Sequence, residues 1–160
     1  TEVPMMSSVA LADGKELTVG ELMGRRLRAS LVVLSACDTG VGRLTDGDDI
    51  IGFSRALLAA GVKNIVVSLW PVDDLATSFL MKAFYGRLMK GETGAVALRE
   101  AQLAVRRSNR EDMEMHALDM QQTCGGEACG RSVAPEIDQG SARGYYQPRF
   151  WAPFIFIGIR

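Results

Sequence analysis

Leu31-Val32-Val33-Leu34-Ser35-Ala36 ends at Cys37 and breaks at once into Asp38-Thr39-Gly40-Val41-Gly42. A short apolar run without polar alternation predicts a strand covered on both faces, as in a parallel sheet packed by helices. A thiol at the end of such a strand, followed by a glycine turn, is how α/β proteins lift a nucleophile to the carboxyl edge of a sheet. Cys37 is therefore the candidate nucleophile, and the competing reading is an inert buried cysteine. A cysteine nucleophile ordinarily works with a histidine base. The single histidine, His116, stands far downstream in a polar stretch and reads as a solvated loop or helix residue rather than that base.

Outward from this strand, the same grammar repeats. Asp48 or Asp49 can cap a helix with Ile50, Ile51, Phe53, Leu57 and Leu58 near helical spacing, stopped by Gly61 as its C′ residue. Asn64-Ile65-Val66-Val67-Ser68-Leu69-Trp70 predicts a second buried strand, broken by Pro71. A long helix then starts at Asp73 or Asp74, carries Leu75, Phe79, Ala83, Phe84 and Leu88 on one face, and closes at Gly91. A further helix over 94–107 offers Val96, Ala97, Ala101, Ala104 and Val105 as its inner stripe. Strand, helix, strand, helix, helix is the order of an α/β layer fold.

Upstream, Asp13-Gly14 marks a hairpin between 7–11 and 16–19, and Thr18-x-x-Glu21 is a capping box opening a short helix to about Arg26. Downstream, periodicity fades from 108 to 147, and this stretch reads as a flexible insertion in which 111–122 could restart a helix. The aromatic and β-branched run from Phe150 to Ile159 predicts a last core strand, with Pro153 placing its first part at an edge. Trp70 and Trp151 read most simply as core anchors, with a substrate groove as the alternative.

With 160 residues, 48% of them hydrophobic, the chain suffices for one globular domain or most of one. A net charge of −1 with dispersed basic residues gives no electrostatic footprint for nucleic acid or an anionic membrane surface. No apolar run approaches the roughly 20 residues of a membrane span. Three cysteines, Cys37, Cys124 and Cys129, suit a reducing cytoplasm better than a disulfide scaffold. Cys124 and Cys129 with His116 and Glu127 could hold zinc, but one close thiol pair is a pattern of low specificity. The acidic run Asp46, Asp48 and Asp49 is explained by solvation and capping more simply than by a metal. No metal or other cofactor is expected. Thr1 falls inside what reads as structured sequence, so preceding sequence is expected too.

Leu31 to Gly40, Gly52-Phe-Ser-Arg-Ala-Leu-Leu-Ala-Ala-Gly61, Val67-Ser-Leu-Trp-Pro-Val-Asp-Asp74 and Phe150-Trp-Ala-Pro-Phe-Ile155 together resemble the CHAT family of caspase-like proteins. That family commonly follows tetratricopeptide repeats and is related in fold to caspases and separases. The resemblance implies a caspase-like α/β fold, a mostly parallel sheet flanked by helices with its amino-terminal part missing here. It also implies a cysteine endopeptidase acting on a protein or peptide substrate, with Cys37 matching the nucleophile. The family's histidine belongs to a His-Gly motif on an earlier strand, so it is expected upstream of Thr1. In the separase branch an acidic residue lines the pocket for a basic side chain before the cleaved bond. Asp74 is the closer match, with Asp73 left as helix cap. The alternative is a catalytically inactive CHAT-type module that keeps the fold and binds a partner.

Overall fold

The computed structural model describes residues 8–10, 14–35, 47–123 and 145–158. The chain divides into two compact units, Thr1–Pro71 with Pro153–Arg160, and Val72–Ala152.

The first unit is mixed α/β. A hairpin of β1 (Ser8–Ala10) and β2 (Glu16–Thr18) pairs antiparallel, Val9 opposite Leu17, as the Asp-Gly signal predicts. Helix α1 (Val19–Met23) opens on the capping box: Glu21 N–H donates to Thr18 Oγ1 at 3.2 Å, and Thr18 N–H donates to the Glu21 carboxylate at 3.0 Å. It ends at Met23 with Gly24 as its C-cap, short of the expected Arg26.

Strands β3 (Leu31–Leu34), β4 (Asn64–Ser68) and β5 (Phe154–Gly158) form one sheet in the order β3-β4-β5. β3 and β4 are parallel, Leu31 opposite Asn64 through Leu34 opposite Val67. β5 is antiparallel to β4, so this sheet is mixed rather than mostly parallel. Phe154 lies opposite Ser68 at the end of β4, and Gly158 opposite Asn64 at its start. The last strand is also shorter than expected, because Phe150 and Trp151 lie in a helical turn ahead of Pro153.

β4 is the hydrophobic centre, with Ile65, Val66, Val67 and Ser68 all buried, whereas β3 is half-buried along its length. Each fully buried Val or Ile contributes about 1.5–3 kcal/mol relative to exposure. Helix α2 (Gly47–Ala59) covers one face with Ile50, Phe53, Ala56 and Leu57, joined by Val19 and Leu22 of α1. Ile51 and Leu58, expected on that stripe, face solvent instead. Gly61, at φ +99°, stops α2: Val62 N–H reaches Leu57 O and Gly61 N–H reaches Leu58 O, both at 3.0 Å.

The second unit is helical: α3 (Asp74–Leu88), α4 (Gly94–Arg107), α5 (Arg110–Thr123) and α6 (Pro148–Trp151). The buried stripe of α3 is Ala76, Leu80 and Phe84; of the Leu75, Phe79, Ala83, Phe84 and Leu88 read from the sequence, Phe84 is buried, and the rest of the stripe lies one residue on from Leu75 and Phe79. α4 keeps its expected bounds and buries Ala97, Leu98, Ala101 and Val105, while Val96 is exposed.

α5 matches the helix that the sequence allowed over 111–122, one residue longer at each end, although periodicity was read as fading from 108. Met113, His116, Ala117 and Met120 recur at helical spacing. Met113 and His116 are buried, and Asn109 and Asp112 exchange side chain to backbone bonds of 2.9 Å at the helix start. Residues 124–144 of the expected insertion lie outside the described residues.

Candidate functional site

The parallel pairing of β3 with β4 decides the geometry of the candidate site. Two parallel neighbours, about 4.8 Å apart, deliver their carboxyl ends to the same edge of the sheet. β3 ends at Leu34, three residues before Cys37, and β4 ends at Ser68 beside it. The edge is pinned by β5, since Leu69 N–H donates to Pro153 O at 2.9 Å. Ser68 is fully buried there, while Leu69 and Trp70 emerge exposed. Trp70, at 38% exposure, is not a core anchor; the strand stops two residues before it and its ring has left the sheet. Cys37 itself lies outside the described residues, as do Asp46, Cys124, Cys129 and Glu127. Asp48 and Asp49 fall in the first turn of α2, and their side chains are also outside them.

In the second unit, Asp73 is the N-cap of α3: its backbone is extended (φ −72°, ψ 128°), and its Oδ1 accepts from Ala76 N–H at 2.8 Å. This is the cap role read from the sequence. Asp74 is the first helical residue, exposed, where a carboxylate meets the positive end of the helix dipole. The Tyr145 ring meets that of Phe150 at a tilt of 59°, with centres 4.9 Å apart. Its phenol is held above the ordinary tyrosine range, first by burial and then by the charge of Asp73.

Trp151 is half-buried, donating its indole N–H to Tyr146 O at 2.9 Å, with the Arg106 guanidinium 5.5 Å from its ring centre. A large ring with a polar N–H keeps a partner rather than entering the core completely.

His116 is the largest departure from expectation. It is 6% exposed, its Nε2 is 3.0 Å from Ser78 Oγ, and its ring meets Phe79 edge-on at 5.2 Å. Burial pushes the imidazole below its ordinary pKa, the Lys82 charge adds to that, and Asp119 opposes it. The sequence reading missed this Ser78–His116 pair. The signal was present in the i, i+3, i+7 spacing of Met113, His116 and Met120.

Among the described residues no group of three His, Cys, Asp or Glu side chains could hold a metal ion, and no helix is long and apolar enough to cross a membrane. The CHAT domain family model matches residues 1–159. The chain belongs to the CHAT domain family. It is also similar to tetratricopeptide repeat protein 28 of Mus musculus, 39% identical over 92 residues, and to that of Homo sapiens, 37% identical over 92 residues. Each match covers 58% of this chain and 4% of the relative, so the chain spans a small fraction of those proteins.

Proposed function

We propose that this chain is the carboxyl-terminal portion of a caspase-like cysteine endopeptidase domain, with Cys37 as nucleophile and a histidine contributed by sequence preceding Thr1. The observation that carries the reading is the parallel β3–β4 pair, whose shared carboxyl edge lies three residues before Cys37. In this mechanism the histidine draws the proton from Cys37 Sγ, the thiolate attacks the scissile carbonyl, and main-chain N–H groups hold the oxyanion. A thiol without its base stays largely protonated near a pKa of roughly 8.5, so the 160-residue chain alone is expected to be inert.

For specificity, Asp74 pairs with an Arg or Lys side chain before the cleaved bond, and Asp73 holds the helix start. Asp74 is exposed, so this pairing strengthens only when bound substrate excludes water. Membership of a family whose relatives are named for tetratricopeptide repeats supports such repeats in the parent chain.

The test is peptide cleavage by the complete gene product. Cys37→Ala should abolish turnover. Asp74→Asn should lower kcat/KM for Arg substrates by about 10–100-fold, the equivalent of one charged hydrogen bond. Turnover that survives Cys37→Ala removes the nucleophile assignment. Indifference of Arg cleavage to Asp74→Asn removes only the pocket.

A non-catalytic interaction module is the second reading, favoured by the exposed Leu69 and Trp70 at the same sheet edge. A strand ending in His-Gly ahead of Thr1 supports the peptidase, and its absence from the complete gene product supports the module.

A further inference from the structure

Helix α5 meets α3 through His116, against Ser78 and Phe79, and through the Asp119–Lys82 ion pair. Met113 and His116 are its buried side chains, and Met115 and Leu118 are exposed. One of the two buried side chains of α5 is therefore a titratable ring.

The seat of His116 is largely closed to water. Ser78 Oγ donates its hydrogen to Leu75 O at 2.8 Å, so Nε2, 3.0 Å away, is the nitrogen that carries a proton and donates. The second proton has to enter at Nδ1, on a ring that is 6% exposed and meets Phe79 edge-on. The charged neighbours are Lys82 of α3 and Asp119 of α5, ion-paired with each other. Farther along α5, Arg110 and Glu114 face Tyr145 of the segment before α6, a neutral phenol. A cation at His116 thus gains a burial cost and a nearby ammonium, with Asp119 already engaged.

We propose that the α3–α5 junction is an acid-sensitive clasp, in which protonation of His116 expels the ring from its seat against Ser78 and Phe79 and frees α5 from α3. The folded imidazole has the lower pKa. The undocked ring therefore binds more protons, and docking weakens as pH falls. The effect is absent above the undocked pKa of about 6.5 and develops below it until the docked pKa is reached. Across that window the opening constant of α5 rises by up to about tenfold per pH unit.

The experiment is amide exchange of the 160-residue chain from pH 7.5 to 5, corrected for intrinsic exchange chemistry, alongside imidazole NMR. A single histidine makes the NMR assignment unambiguous. The α5 amides should open progressively below about pH 6.5, in step with the His116 titration. Lys82→Met should move that titration to higher pH. His116→Gln, which keeps a donor for Ser78 but does not titrate, should flatten the pH dependence. Should this variant not fold, coincidence of α5 opening with the His116 titration in the wild type and in Lys82→Met decides the matter. Exchange of α5 that stays flat while His116 titrates, or an unchanged pH profile in His116→Gln, overturns the proposal.

Discussion

Helices α4 and α5 have 14 residues each and stand next to one another in sequence, yet they are anchored by different chemistry. α4 buries Ala97, Leu98, Ala101 and Val105, a continuous apolar stripe with no ionisable group among its buried side chains. α5 buries Met113 and His116. The hydrophobic effect that seats α4 is non-directional and insensitive to pH in this range. The seat of α5 depends on one imidazole remaining neutral and on one donor meeting one hydroxyl.

That contrast is broken or sharpened first by cavity formation. Leu98→Ala, at a residue 3% exposed, should destabilise the chain by about 2–5 kcal/mol in a denaturant titration. Met113→Ala should act more locally, speeding amide exchange along α5 well before the cooperative unfolding transition. If both substitutions shift only the global midpoint, the two helices do not differ in the way their anchors imply.

Acid is the next largest perturbation. Between pH 7.5 and 5.5, exchange protection of α4 should stay constant while that of α5 falls by up to about tenfold. Equal losses in both helices would point to general acid destabilisation instead.

The cap at the head of this unit should have a smaller effect. Asp73→Ala removes the acceptor for Ala76 N–H and should cost about 1 kcal/mol, while Asp73→Asn, an equally good cap, should be close to silent by thermal unfolding. Smallest of all is Asp119→Asn. Its ion pair with Lys82 is exposed, so the melting temperature should hardly move. The His116 titration should nevertheless shift to lower pH, because an opposing charge has been removed.

Local signals decided much of this molecule. The Thr18–Glu21 box, the Gly61 stop, the Asp73 cap and the bounds of α4 each depend on a few neighbouring residues satisfying one another's backbone groups, so they are legible in sequence. The motif around Cys37 likewise announced the family that the chain belongs to. What the sequence could not fix was which side of each element would be covered. On α3 Phe84 kept its place while Ala76 and Leu80 replaced Leu75 and Phe79 in the core, Ile51, Leu58, Val96 and Trp70 turned outward, and β5 ran antiparallel in a sheet expected to be mostly parallel. His116 left solvent for a seat on α3, 38 residues away in the chain. These outcomes are set by long-range pairing. An apolar residue at helical spacing says only that some face is buried, and only the packed neighbours choose which one.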